Sequence, residues 1–207
     1  MAAKRTATKH PSATNAQPAR DSGDTAPKRI TEELDRVGSE YAWLDRLMVD
    51  WGDGKPRETF RGGFPDGAHV LAFLDNGKVL LVHQYRVLGR GWVYELPGGI
   101  IDEMESEEAA VMRELEEETG YKARELEKLF SYHPLENVAL TTQLYVARKL
   151  IKGKQRLDPG EKDISVVEVT PSQLYALVLD GTITDSKTVR AALVAKERGF
   201  LKIDAKE

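Results

Sequence analysis

One stretch of this chain carries a helix signal with both ends marked, set among runs that otherwise read as strands. Ser106 is the expected N-cap and Gly120 the expected stop, so residues 106 to 119 form a charged helix. At about 100° per residue, Glu114, Glu117 and Glu118 fall within one arc of about 100°, with Ala110 between them. Val111, Met112 and Leu115 cluster on another side and face the core. The glutamate arc reads as exposed. Three carboxylates side by side repel one another, by a few tenths of a kcal/mol for each i,i+4 pair, and Arg113 offsets only part of that. A divalent cation would resolve the repulsion, because Mg²⁺ takes hard oxygen ligands and keeps waters and substrate phosphates as the rest. Gly98-Gly99 supplies a backbone that can approach closely, with a free carbonyl to aim at the same ion. The plainer alternative is a solvated acidic face.

The rest of the pattern frames that helix with strands. Tyr41 to Trp51 reads as a strand, turning at Gly52-Asp53-Gly54 into a partner that ends near Arg61. Ala68 to Leu74 and Lys78 to Arg86 form a hairpin across Asp75-Asn76-Gly77, residues that tolerate positive φ. Strands follow near Leu126 to Tyr132, Thr142 to Ile151 and Ile164 to Val169, then two helices over Pro171 to Asp180 and Asp185 to Arg198. The expected class is α/β, a mixed sheet sandwiched by helices with an extra N-terminal antiparallel sheet. Residues 1 to 29 hold no Leu, Ile, Val, Phe, Tyr or Trp and read as a disordered basic tail; a targeting peptide or a nucleic-acid arm is the lesser reading. Residues 30 to 207 form the folded domain.

Charge and cysteine usage remove several function classes. The net charge is −4; the first thirty residues, six Lys/Arg against Asp21 and Asp24, carry +4, so the remainder carries −8. An acidic body makes nucleic acid an unlikely partner, while an acidic pocket that holds metal can still process a phosphorylated ligand. With no cysteine there is no disulfide framework, thiolate zinc site or cysteine nucleophile. No apolar run approaches the roughly 20 residues of a membrane span, and the expected compartment is the cytoplasm. His10, His69, His83 and His133 are not spaced as paired ligands and read as structural or exposed; Gly89-Arg90-Gly91 reads as a turn. There is no Gly-x-Ser-x-Gly elbow for a serine hydrolase.

Gly99, Glu105, Arg113-Glu114-Leu115, Glu117-Glu118 and Gly120 together resemble the Nudix box, Gly-x5-Glu-x7-Arg-Glu-U-x-Glu-Glu-x-Gly-U with U aliphatic. Every fixed position is met, and only the last U departs, being Tyr121. Gln84-Tyr85-Arg86 followed by Glu95-Leu96-Pro97-Gly98-Gly99 looks like the ADP-ribose and nucleotide-sugar pyrophosphatase branch. Gly160-Glu161-Lys162-Asp163 resembles its acidic catalytic loop, and Asp185-Ser186-Lys187-Thr188 its closing motif. One departure is Pro134-Leu135, where that branch usually has Pro-Gly in a loop that shapes the sugar pocket.

The resemblance implies Mg²⁺-dependent hydrolysis, with Mn²⁺ a possible substitute, of ADP-ribose or a related nucleoside diphosphate sugar to a nucleoside monophosphate and a sugar phosphate. By matching position, Glu114, Glu117, Glu118 and the Gly98 carbonyl would hold the metal. Glu117 and Glu118 also count as catalytic, and Glu161 would be the general base, with Asp163 as the neighbouring option. Arg86 would hold a phosphate, and its alternative is a surface arginine. Glu95 is either a neighbour of the substrate and metal site or a plain strand residue. Gly99, Glu105, Arg113 and Gly120 are structural members of the motif. Trp43 and Trp51 read as packing residues, with stacking on a nucleobase as the functional alternative. The strands over 30 to 61 have few local partners and are expected to build a homodimer. The rival to the enzyme is a catalytically silent Nudix domain that binds a nucleotide as sensor or scaffold.

Overall fold

β4 (Gly67–Phe73) is buried at all seven positions, which places it at the centre of the molecule and accounts for a sequence run without polar alternation. The computed structural model describes residues 28–88 and 91–203. The expected disordered tail lies outside these except for Lys28 and Arg29, and the expected turn at Gly89-Arg90 lies outside them too.

β5 (Val79–Arg86) pairs antiparallel with β4 across the expected turn, in which Gly77 has φ +80°. β6 (Gly91–Glu95) returns along β5, and β7 (Gly98–Ile100) lies antiparallel on β4. After α1 (Glu107–Thr119), β8 (Tyr121–Tyr132) pairs with β10 (Thr142–Lys152), and β10 runs parallel to β4. β11 (Ser165–Val169) closes the other edge on β5. The order is β11-β5-β4-β10-β8. Helix α1 covers one face through Ala110, Val111 and Leu115 on Ala68, Val70 and Leu80. Helices α2 (Pro171–Leu179) and α3 (Ser186–Glu197) cover the other, where Leu174, Ala191 and Ala192 meet Leu71, Leu81 and Leu144. The mixed sheet between helices is as expected.

A second sheet has the order β1-β2-β3-β9, built from β1 (Arg29–Gly38), β2 (Trp43–Asp50), β3 (Arg57–Gly63) and the short β9 (Val138–Ala139). It corrects three expectations. β1 follows β2 along its whole length, so these strands do not lack local partners. β2 ends at Asp50, whose carboxylate accepts the Gly52 and Gly54 N–H groups, so Trp51 belongs to the turn. β9 runs parallel to β3, so the sheet is not wholly antiparallel.

Candidate active site

The Gly-Gly pair is where the sheet touches the helix. Gly98 has φ +145°, and a Cβ there would stand 2.3 Å from the Ala68 carbonyl oxygen. A Cβ on Gly99 would stand 2.3 Å from Glu114 Oε1. Only glycine lets β7 lie between β4 and the glutamates. Helix α1 begins where Ser106 Oγ accepts the Ala109 N–H at 3.2 Å, and ends where Gly120, φ +75°, donates to Glu116 O at 2.8 Å.

The exposed arc expected for the glutamates is corrected. Glu114 is 9 % exposed and Glu118 3 %, because β7 folds over that side of α1; Glu117 is half-buried. Glu118 Oε2 accepts the Gly98 N–H at 2.8 Å. Arg113 gathers the others: it donates to both Glu105 oxygens at 3.0 and 2.9 Å, to Glu114 at 2.8 Å, to Glu117 at 3.3 Å and to the Ile100 carbonyl at 2.9 Å. Among the described residues no three acids converge into a closed ligand cage.

Burial pushes the Glu118 carboxyl up to about 8; the Gly98 N–H opposes this, and the charges of Glu114 and Glu161 add to it. Burial likewise pushes Glu114 up to about 6 against its bond to Arg113, with Glu161 and Glu117 adding. These acids are crowded by like charge in a dry setting. Hard oxygen donors in that state suit a divalent cation.

Three further elements meet this floor. On β5 and β6, one oxygen of the buried Glu95 accepts Arg86 Nη2 at 2.5 Å, Arg86 Nε at 3.0 Å and Gln84 Nε2 at 3.1 Å. Glu95 therefore aims Arg86, whose side chain stays 46 % exposed. At the start of α3, Asp185 takes Lys187 Nζ at 2.6 Å and the Thr188 N–H and hydroxyl at 2.9 Å each. Thr188 Oγ1 in turn accepts the Leu96 N–H at 2.9 Å, which ties α3 to the residue before Pro97-Gly98. Glu161 sits in a turn, its N–H donating to Asp158 O at 2.9 Å, and its charge acts on Glu114 and Glu118. Asp163 instead accepts the Tyr85 N–H at 2.6 Å.

Trp43 and Trp51 lie with the N-terminal sheet. The Trp43 ring fills the space a Gly63 side chain would need, with the Arg36 guanidinium 4.6 Å from its centre. Trp51 is 49 % exposed, beneath Lys28 Nζ at 5.6 Å. The cations over their rings thus belong to β1 or the residue just before it, whereas Arg86, Glu95, the box acids and Glu161 share one neighbourhood. Two residues near that site were not named as candidates from the sequence. His69 reads as an ordinary strand histidine until the pairing of β4 with β7 sets it opposite Gly98. Lys187 carries only the weak hint of its four-residue motif.

The NUDIX domain matches residues 63–192 of this chain. The chain belongs to the Nudix family. It is a Nudix pyrophosphohydrolase, and its box residues lie within the matched segment. It is 34 % identical over 152 residues to an ADP-ribose pyrophosphatase of Bacillus subtilis, covering 72 % of this chain and 80 % of that one. It is also 34 % identical over 156 residues to a GDP-mannose pyrophosphatase of Yersinia enterocolitica, covering 70 % and 80 %. A solved structure described as an ADP compounds hydrolase superposes with a TM-score of 0.73 at 20 % identity, over 86 % of this chain and 96 % of that one. That last likeness establishes the fold.

Proposed function

We propose that this Nudix enzyme hydrolyses the diphosphate of ADP-ribose or a related nucleoside diphosphate sugar with Mg²⁺, giving a nucleoside monophosphate and a sugar phosphate. The coarser statement, a Nudix hydrolase of nucleoside diphosphate derivatives that needs a divalent metal, follows from the family. The observation that carries the finer one is the meeting of Arg86, aimed by Glu95, with buried and mutually repelling Glu114 and Glu118. A diphosphate is a dense anion, and a wall with a cation facing acids suits it only if metal comes too.

Glu114, Glu117, Glu118 and the Gly98 carbonyl would hold the metal. When bound, it neutralises charge on the diphosphate and makes a water more acidic. The chain's own groups do the rest. Arg86 holds phosphoryl oxygens through charge-assisted hydrogen bonds. Glu161 takes the proton of the attacking water, since the box acids lose proton affinity once they ligate. Asp163 anchors that loop to the end of β5 at the Tyr85 N–H.

The protein works as a small-molecule enzyme of the cytoplasm; among the described residues no helix is long and apolar enough to cross a membrane. Its homodimer uses the outer face of the N-terminal sheet, where Val37, Leu44 and Phe60 are exposed on the same side. Light scattering should give a dimer mass at micromolar concentration; a monomer mass would remove this part.

The deciding test is a panel of ADP-ribose, GDP-mannose, UDP-glucose and dinucleotides at fixed Mg²⁺, run in ¹⁸O-labelled water with product identification. Metal-dependent release of a nucleoside monophosphate from ADP-ribose or another sugar nucleotide is expected. Binding without turnover across the panel would mean a silent nucleotide-binding domain instead.

A further inference from the structure

Helix α1 ends against its own electrostatics. Glu116, Glu117 and Glu118 occupy its last turn and no Lys or Arg does, so carboxylates gather at the pole that unpaired carbonyls already make negative. The donors that relieve this come from elsewhere in the chain. The Gly153 N–H donates to Gly120 O at 2.6 Å, the Arg156 N–H to Glu117 O at 2.9 Å and Gln155 Nε2 to Glu118 O at 2.6 Å. The Arg156 guanidinium meets the Glu116 carboxylate at 2.8 Å. Residues 153–158 have neither helix nor strand of their own, and Gly153, Lys154 and Arg156 are exposed. Such a segment ordinarily gives its donors to water; here it gives them to one helix end. Gly120 makes the contact possible, since a Cβ there would stand 2.7 Å from the Gln155 backbone nitrogen.

This strap runs straight into the loop that carries Glu161. Six residues, 157 to 162, separate Arg156 from Asp163, whose carboxylate accepts the Tyr85 N–H at 2.6 Å. The loop is therefore fastened at both ends, to α1 on one side and to β5 on the other. Within it the Glu161 N–H donates to Asp158 O and the Ile164 N–H to Glu161 O, each at 2.9 Å, so the span is folded rather than slack. Two residues reach at most about 7 Å, which keeps Glu161 within that distance of Asp163. The Asp163 anchor alone would still let the loop swing away from α1. Closed at a second fixed point, it has fewer states to lose when one position is required.

We propose that Gln155, backed by the Gly153 and Arg156 N–H groups, is a positioning residue: by binding the Glu118 carbonyl it holds the Glu161 loop beside the box acids. This rests on the reading of Glu161 as general base. Gln155 touches neither substrate nor metal and acts only through where Glu161 stands. The helix that carries the box acids and the loop that carries the base are in this way one unit, although 37 residues separate Gln155 from Glu118.

The test sets Gln155→Leu and Gln155→Lys beside Glu161→Gln, singly and combined, in the full-length protein with the sugar nucleotide it turns over fastest. Gln155→Leu should lower kcat about tenfold, the size of one net hydrogen bond, with KM and Mg²⁺ dependence within about twofold of the parent. Gln155→Lys restores a donor suited to a helix C-terminus and should recover most of that loss. Added to Glu161→Gln, Gln155→Leu should lower kcat by less than about twofold more, because the group it positions is already gone. A full tenfold loss in that background would overturn the proposal. So would a weakened response to Mg²⁺, which would mean that the helix end itself is disturbed.

Hydrogen exchange gives a reading independent of turnover. In the unsubstituted, metal-free protein the Gly153 and Arg156 N–H groups should exchange far more slowly than open-loop amides; open-loop rates overturn the tether even if a variant fails to fold. In Gln155→Leu, residues 157–162 should exchange several-fold faster while α1 is unchanged, and unchanged exchange in that span overturns it too. An impaired Glu161→Gln beside an unimpaired Gln155→Leu would sink this inference and leave the base. Full turnover by Glu161→Gln would instead sink the base reading, and with it the catalytic purpose of Gln155, while protected strap amides would still show the tether.

Discussion

Asp45 in the N-terminal sheet and Glu118 at the end of α1 are buried alike, 4 % and 3 % exposed, yet their charges fare oppositely. Asp45 lies between two guanidinium groups, with Arg36 at 2.5 Å and Arg61 at 2.9 Å. Although burial acts to raise it, those two partners hold its carboxyl below the usual range. Glu118 has one backbone N–H and two neighbouring carboxylates, and burial drives it up to about 8. The first acid is balanced by its own chain and serves the sheet. The second is left unbalanced, which costs stability and makes sense where a ligand brings the missing positive charge.

Substitution separates the two most sharply. Glu118→Gln should lower kcat by about 10⁴-fold, about 5.5 kcal/mol of barrier, while leaving the metal-free melting temperature equal or higher. Asp45→Asn should do the reverse, losing about 1–3 kcal/mol of stability with turnover per folded molecule kept. Steady-state kinetics beside thermal melts would settle both, and a stable, fully active Glu118→Gln would erase the contrast.

Glu161→Gln comes next, with kcat down about 10²–10³-fold, within the range of a general base. KM and Mg²⁺ dependence should change little, whereas Glu118→Gln should disturb the Mg²⁺ dependence as well. If Glu161→Gln turns over normally and Asp163→Asn does not, the base lies two residues along.

Acidity should divide the same two regions by a few degrees of melting temperature. A carboxyl raised in the folded state favours folding fully below its unfolded pKa, and that benefit is lost as pH rises through its folded value. The metal-free protein should therefore melt lower at pH 9 than at pH 5, and Glu118→Gln should flatten that slope. Asp45, held low, favours folding above its ordinary value of 3.8 and loses this as pH falls further. Asp45→Asn should blunt the acid limb alone. Added Mg²⁺ should reverse the alkaline loss, because metal competes with the proton on Glu118.

Smallest of all should be the effect of deleting residues 1 to 27, which hold no Leu, Ile, Val, Phe, Tyr or Trp. Melting temperature should stay within about a degree or two and kcat within twofold. Extending the cut through Arg29 and Ile30 enters β1 and should lower the melt.

The linear spacing of the box was legible because cap, turn and helix are local in sequence. Ser106, Gly120 and the run of β4 carried that information openly. The bounds of β1 were not legible: it is exposed along nearly its whole length, so Ile30, Leu34 and Val37 show no strand alternation among Glu, Asp and Arg. The burial of Glu114 and Glu118 was not legible either, since helical periodicity gives an arc but not what folds over it. The Arg36–Asp45–Arg61 grouping needs the register of three strands. His69 needs the pairing of two strands separated by a hairpin.

The seam between the sheets bears on where this chain can be divided. Gly62 and Phe64 donate to the carbonyls of Asn137 and Ala139, Gly67 donates to Thr141 O, and Asp66 takes the Thr141 N–H. The family match opens at Gly63, on the last residue of β3. A fragment trimmed to that boundary would keep every box residue and still strip β9 of the strand it pairs with, exposing its backbone beside the loop that follows β8. For this protein the segment that the family match spans is therefore shorter than the part of the chain these contacts hold together. Grafts or chimaeras with other Nudix proteins should exchange the N-terminal sheet and the 133–141 loop as a single part.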